Sequence, residues 1–225
     1  MFPTLSKKRL TVIHDLAFVH YPQFIEKKNL AYLNRRVPQA INYSTKVIVV
    51  SNFTKDDIIK TYGTDPQKII VTHNAVNKRI FKKTELRKKT MAKYNLPNSY
   101  LLYLGTIEPR KNIENLIKAY CALPKSTKGK YPLVLAGGGG WNDEGIKQAI
   151  ELASRDSEII QTGYVDEKDI PALYSGAELF LYPSHFEGFG MQILEAMACG
   201  TPVITANNSS LPEVGGDAAY YVDDN

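Results

Sequence analysis

Nine short, mainly apolar runs without polar alternation recur along this chain with stretches of helical period between them. LTVIH (10–14), KVIVV (46–50) and KIIVTH (68–73) come first. YLLYLG (100–105), PLVLAG (132–137), SEII (157–160), ELFLYP (178–183), PVIT (202–205) and AAYYV (218–222) follow. A strand with one wet face alternates apolar with polar residues. Runs without alternation belong to strands covered on both faces, the condition of a parallel sheet crossed by helices. Helical segments fall at about 28–43 and 52–62, then at 112–123, 142–154, 167–175 and 190–199. In the second of these Ser51 or Asn52 would cap, and Ile58, Ile59 and Tyr62 would face inward. The fold class predicted is α/β, in two Rossmann-like doubly wound units.

A polar, Lys-rich stretch at 78–93 interrupts the pattern. Residues 1–76 therefore read as one domain, 77–97 as a linker and 98–225 as a second domain. Six strands suffice for a whole nucleotide-binding sheet, whereas three would leave exposed edges. The first unit thus reads as incomplete, with sequence missing before Met1, and no closing helix follows the last strand. The 225 residues exceed the ~150 of a typical single domain, and 44% hydrophobic with 23% charged residues excludes disordered and collagen-like chains. Two distant cysteines, Cys121 and Cys199, form no CxxC or CxxH pair, so neither a disulfide framework nor a metal cluster is indicated. No apolar run approaches ~18 residues and MFPTLSKKRL lacks a signal peptide's apolar stretch, so a cytoplasmic protein is expected.

The net charge of +5 hides a segregation: residues 1–94 hold 19 Lys and Arg against 6 Asp and Glu, and the remainder hold 9 against 17. The basic half is either a solvated face or a surface for something anionic, such as a lipid phosphate, the inner membrane face or an acidic acceptor. Nucleic acid is disfavoured, because the cations are dispersed without an aromatic stacking platform.

In open α/β sheets ligands bind outside the carboxyl ends of strands, which directs attention to four loops. In SHFEGFGMQILEAMACGTP (184–202) Gly188 and Gly190 let the backbone approach a ligand, and the following helix start attracts an anion such as phosphate. Glu187 and Glu195, with seven residues between them, would bracket a ligand from two heights; Glu195 suits a vicinal diol such as ribose, and Glu187 suits sugar hydroxyls or developing positive charge. In TIEPRKNIENLIKAY (106–120) Arg110 and Lys111 would stand at a helix's first turn, against its dipole, which points to a diphosphate. AGGGGWNDEG (136–145) places Asn142 or Asp143 where a dinucleotide fingerprint wants its third glycine, so a tight turn under a nucleotide is preferred to a nicotinamide site. After LTVIH, His14-Asp15 would face a cleft, where His14 could exchange hydrogen bonds or protons. His20, His73 and His185 are too irregularly spaced for a metal triad, and no GxSxG elbow occurs.

PSHFEGFGMQILEAMACGTPVITANNSSLPEV (183–214) and LYLGTIEPRKNIENLIKAY (102–120) resemble the retaining glycosyltransferases of the GT-B fold, family 4, of the glycosyltransferase group 1 type. VIHDLAFVHYP (12–22), VIVVSNFTKDDIIKTYG (47–63) and LVLAGGGGW (133–141) extend the resemblance over nearly the whole chain. It implies two Rossmann-like domains facing across a cleft, the nucleotide-sugar donor on the second and a carbohydrate or lipid-linked acceptor mostly on the first. It further implies that Arg110 and Lys111 hold the donor diphosphate without a required metal ion or other cofactor, Glu195 binds ribose and Glu187 contacts the donor sugar. The backbone at Gly105, Gly188, Phe189 and Gly190 would touch phosphate and sugar. Gly163, Tyr164 and Val165 would lie near the base, and His14 would reach the sugar from across the cleft. Asn74-Ala75-Val76 stands where the family often has Asn-Gly-Val. HDLAF is similar to mannosyltransferases that use GDP-mannose, with UDP-sugars left open. The activity implied is transfer of a hexose with retained configuration. A nucleotide-sugar epimerase, a non-catalytic nucleotide-sugar binding fragment and an NAD-dependent oxidoreductase are the alternatives.

Overall fold

The computed structural model describes residues 8–140, 143–154 and 158–224. The chain divides into two compact units, Met1–Asn74 with Glu187–Phe189, and Ala75–Phe186 with Gly190–Asn225.

In the first unit β1 (Leu10–Ile13), β2 (Lys46–Val49) and β3 (Ile69–Val71) form a parallel sheet in that order, Val12 standing beside Ile48 and Ile48 beside Ile70. The central strand is covered on the face of Val47 and Val49, which have no exposed surface, while the edge strand β1 exposes Leu10 and Val12. The Lys27–Tyr43 helix packs Leu30, Leu33, Val37 and Ile41 against this core, a three-to-four-residue spacing that keeps them on one side. The Asn52–Tyr62 helix is capped by Ser51, whose Oγ accepts the Thr54 N–H at 3.1 Å, and it ends where Gly63 turns left-handed at φ +62°. Ile58 is buried; Ile59 and Tyr62 are partly so.

The second unit carries six parallel strands, β4 (Leu101–Leu104), β5 (Leu133–Ala136), β6 (Ile159–Gly163), β7 (Leu179–Tyr182), β8 (Val203–Ala206) and β9 (Ala219–Val222), ordered β6-β5-β4-β7-β8-β9. Leu102, Leu133, Leu135 and Phe180 have no exposed surface, which is why these runs show no polar alternation. Truncating one of the leucines to Ala would cost about 2–5 kcal/mol. The Ile113–Cys121 helix packs on Glu144–Ala153, whereas Ile170–Gly176 and Leu211–Gly215 pack on Met191–Ala198. Strand order reverses between β4 and β7, so the loops following these two strands flank the crevice where doubly wound sheets take their ligands.

Two expectations need correction. The stretch 77–97 is no free linker: it contains the Lys88–Tyr94 helix and buries Tyr94 and Leu96 in the second unit's core. The helix expected from 112 begins at Ile113, because Asn112 adopts φ +60° and separates it from a 3-10 turn at Pro109–Lys111. A short helix at Lys125–Lys130 was not anticipated. Asn142 and Ser157, the first residues of two expected elements, lie outside the described residues. No helix among the described residues is long and apolar enough to cross a membrane.

Candidate functional site

The loops after β4 and β7 are laced together. Arg110 Nη1 donates to the Phe186 carbonyl at 2.7 Å, the His185 N–H to the Arg110 carbonyl at 3.0 Å, and Asn112 Nδ2 to the Pro183 carbonyl at 3.1 Å. Arg110 also pairs with Glu108 at 2.8 Å. Lys111 is only 6% exposed; its Nζ donates to the Tyr182 hydroxyl at 3.1 Å and lies 5.3 Å from that ring's centre. Tyr182 passes its own hydrogen to Gln192 Oε1 at 3.1 Å, tying the lysine to the first turn of the Met191–Ala198 helix. A charge this deeply buried is costly unless polar groups solvate it, and an aromatic face with a hydroxyl supplies part of that. Arg110 and Lys111 therefore do not stand at a helix's first turn against its dipole: they occupy a separate turn, with protein partners of their own.

The Met191–Ala198 helix begins at Gly190, whose φ of +96° only glycine adopts readily, and no side chain caps it. Its first-turn N–H groups form a positive helix end. On the same loop Ser184 Oγ is buried without a hydrogen-bond partner among the described residues. One turn further, Glu195 Oε2 accepts a 3.1 Å hydrogen bond from the hydroxyl of fully buried Tyr174. Burial pushes the Glu195 carboxyl above its usual range, and the Tyr174 hydrogen bond pulls partly back. Tyr174 in turn is held well above its ordinary value by burial and by the nearby carboxylate. An acid in the apolar run MQILEAMA needs a partner, and that partner is Tyr174.

Glycines close the strand ends. The Gly105 N–H donates to the Ala136 carbonyl and the Gly137 N–H to the Gly163 carbonyl, each at 2.9 Å. A side chain at Gly137, where φ is +139°, would overlap the Gly105 carbonyl oxygen. The loop after β5 folds back on the loop after β4 through Ile107 N–H to Gly138 O and Gly140 N–H to Ile107 O, both 2.9 Å. Beside this turn lies a pocket of about 170 Å³ lined by Gly137 to Gly139, Asp143, Gln161 and Gly163. Trp141 and Asn142 of the same loop lie outside the described residues. Tyr164 is 73% exposed, whereas Val165 is buried in the core and can offer a ligand only its backbone. A larger groove of about 510 Å³, lined by Leu116, Leu179, Leu181 and Ile204 among others, is mostly apolar, and its lining includes Asp223 and Asp224 but no Lys or Arg to attract a phosphate.

In the first unit His14 is exposed immediately after β1, and Asp15 accepts the Ala17 N–H at 2.9 Å, which gives this acid a local structural task. Gly188 is pressed onto the His14 backbone, where an added side chain would overlap the His14 carbonyl oxygen. The Gly188 carbonyl lies 2.7 Å from Ser51 Oγ and 3.3 Å from Thr54 Oγ1. Glu187 and Phe189 are 7% and 8% exposed, and Phe189 tilts against His73 at 6.2 Å. Glu187 thus groups with the first unit and Glu195 with the second. Ser51 was expected as a helix cap; Tyr174, Tyr182, Gln192 and Thr54 were not anticipated, since none sits in a pattern that distinguishes it from packing or surface residues. Among the described residues no three His, Cys, Asp or Glu side chains gather as a metal site would require.

Comparison with known proteins places these loops in context. Residues 83–225 match the family described as Glycosyl transferases group 1, and residues 3–79 match Glycosyltransferase Family 4. O-antigen chain mannosyltransferase B of Escherichia coli is 37% identical over 99% of this chain and 59% of its own length. The O-antigen chain mannosyltransferase RfbU of Salmonella typhimurium is 32% identical over 98% of this chain and 58% of its own. The chain therefore spans somewhat over half the length of these two relatives. Anabaena HepE, solved in complex with UDP and glucose, superposes with a TM-score of 0.76 at 21% identity over 96% of this chain and 58% of its own, which shows a shared GT-B glycosyltransferase fold. With both stretches matched and relatives this similar, the chain belongs to the group 1 glycosyl transferases.

Proposed function

We propose that this chain is part of an enzyme that moves a hexose from a nucleoside-diphosphate sugar to a carbohydrate or lipid-linked acceptor with retained configuration. Residues 98–225 take the donor and residues 1–76 serve the acceptor. The observation that carries the donor half of this reading is the set of cations and backbone donors at the switch point. Arg110 and buried Lys111 are laced to the loop that ends in the uncapped Gly190 helix start. Two cations and a positive helix end suit a diphosphate without a metal ion. The O-antigen mannosyltransferases among the relatives support mannose as the sugar.

In this reading Arg110 and Lys111 neutralise charge as it develops on the departing diphosphate. The acceptor hydroxyl attacks the anomeric carbon from the face that the diphosphate leaves. The bond from carbon to phosphate oxygen breaks, and that oxygen takes the hydroxyl proton. Glu195 accepts from ribose hydroxyls. Glu187 and His14 shape the charge around the sugar, while Gly105, Gly188, Phe189 and Gly190 offer backbone to phosphate and sugar, and Gly163 to Val165 lie by the base. The basic first half faces an anionic membrane surface on the cytoplasmic side, where a lipid-linked acceptor would be presented.

Titration calorimetry with GDP, UDP and ADP, followed by transfer from the matching labelled mannose or glucose donor to an oligosaccharide acceptor, tests the reading. Binding of a nucleoside diphosphate, with a product that keeps the donor's anomeric configuration, is the expected result. Failure of all three to bind would overturn it; binding without transfer would reduce the chain to a donor-binding fragment.

A further inference from the structure

We infer, resting on the donor-binding reading above, that His185 and Asp224 are positioning residues for the diphosphate end of the site and act through Arg110. Arg110 is fixed from two directions. Its Nη2 donates to Glu108 Oε1 at 2.8 Å, while Nη1 donates to the Phe186 carbonyl at 2.7 Å and the Arg110 carbonyl accepts the His185 N–H at 3.0 Å. Two of these three bonds therefore depend on where residues 185 and 186 sit. Both lie in the stretch from Pro183 to Gly190, which is neither helix nor strand, so no backbone ladder sets its path.

The end of edge strand β9 supplies a hold on this stretch. Asp224 Oδ2 lies 2.8 Å from His185 Nδ1, and the Asp224 carbonyl accepts from Asn112 Nδ2 at 2.7 Å, the same amide that donates to the Pro183 carbonyl. Asp224 thus meets the loop after β7 with its side chain and the turn after β4 with its backbone. A carboxylate only accepts, so Nδ1 carries the hydrogen whether or not the ring is protonated. At 20% and 22% exposure the two side chains are largely sheltered, and salt screens such a pair less than one on an open surface.

The sign of the effect separates positioning from bare charge. A carboxylate near a diphosphate repels it, so on charge alone the loss of Asp224 would strengthen donor binding. If Asp224 holds His185, and His185 with Phe186 holds Arg110, its loss weakens binding instead. Asp223 carries the same charge one position earlier and is exposed, which makes it the control. Asn places its amide nitrogen as many bonds from Cα as the Nδ1 of His, so His185→Asn keeps a donor facing Asp224, whereas His185→Leu removes it.

Titration calorimetry on the full chain with GDP, UDP and ADP, and with the parent nucleoside of whichever binds, is the test. Asp224→Ala and His185→Leu should each weaken nucleoside-diphosphate binding about fivefold, the contribution of one protein hydrogen bond, and nucleoside binding by less than about twofold. His185→Asn should recover most of the loss, and Asp223→Ala should bind at least as tightly as wild type. In an Arg110→Ala background Asp224→Ala should cost less than about twofold further, because the side chain it acts through is gone. Unchanged or tighter binding by Asp224→Ala, equal losses for diphosphate and nucleoside, no recovery in His185→Asn, or an undiminished loss in the Arg110→Ala background would each overturn the inference while wild-type binding upholds the donor reading. Wild type that binds none of the three nucleotides overturns that reading and the inference with it.

Discussion

The Tyr174 hydroxyl donates to Glu195 Oε2 across 3.1 Å, joining the Ile170–Gly176 helix to the helix that follows the β7 loop. Tyr174 is sealed in the core, so its hydroxyl has no water to turn to, and the carboxylate is held in place by a rigid donor. If that carboxylate takes ribose hydroxyls, Glu195→Gln should weaken nucleoside-diphosphate binding about tenfold, and a 2′-deoxynucleotide should lose its disadvantage in the variant. Competition calorimetry with the two nucleotides measures both.

Acidity provides a second check on the same pair. Because burial pushes the Glu195 carboxyl up, the charged form should be lost on acidification at a higher pH than the ~4.3 of an ordinary glutamate. Donor affinity should fall with it. Tyr174→Phe removes the hydrogen bond that favours the charged form, so its acid limb should lie at still higher pH. The stability linkage has the opposite sense. A carboxyl whose folded value is raised contributes stability that is full below the unfolded value and lost as pH rises through the folded one. At pH 7 the wild type has lost it, so Glu195→Gln should melt above wild type while binding donor less well. Thermal melts at pH 7 decide this.

Arg110→Ala and Lys111→Ala should each weaken nucleoside-diphosphate binding roughly tenfold or more, since a charge-assisted hydrogen bond contributes ~1.5–3 kcal/mol. Unphosphorylated nucleoside should be affected far less. Equal losses for both ligands would show that these cations serve only the Glu108, Phe186 and Tyr182 contacts described above.

Gly137→Ala places a methyl group on the Gly105 carbonyl oxygen at a left-handed φ. Backbone on backbone cannot be relieved by a rotamer change, so the β4 and β5 ends must part. A loss of about 2–4 kcal/mol is expected, lowering the melting temperature by several degrees. Gly138→Ala, which meets no atom within 4 Å, is the control and should melt near wild type.

Ser51→Ala removes the cap of the Asn52–Tyr62 helix and the hydroxyl facing the Gly188 carbonyl. A cost of about 1–2 kcal/mol in chemical denaturation is expected. Ser51→Thr, which keeps the hydroxyl, should recover most of it.

The strands were legible in the residues as short runs without polar alternation, most plainly where a strand is covered on both faces, as LVLA of β5 is at all four positions. The loops after β4, β5 and β7 stood out for a similar local reason: turns containing glycine follow those runs directly, and two cations stand in one of them. What each loop residue touches was not. Arg110 finds a carbonyl 76 positions away, Glu195 a hydroxyl 21 positions away, and Gly188 is grouped by packing with residues of the first unit. The Val165 side chain packs in the core, which leaves only its backbone for a ligand, and Arg110 and Lys111 were assigned to a helix turn that Asn112 breaks. Such partners depend on strand order and on how loops from β4 and β7 meet across a sheet that joins segments far apart in the chain. Periodicity reports which side of an element is buried; only the assembled sheet decides against what.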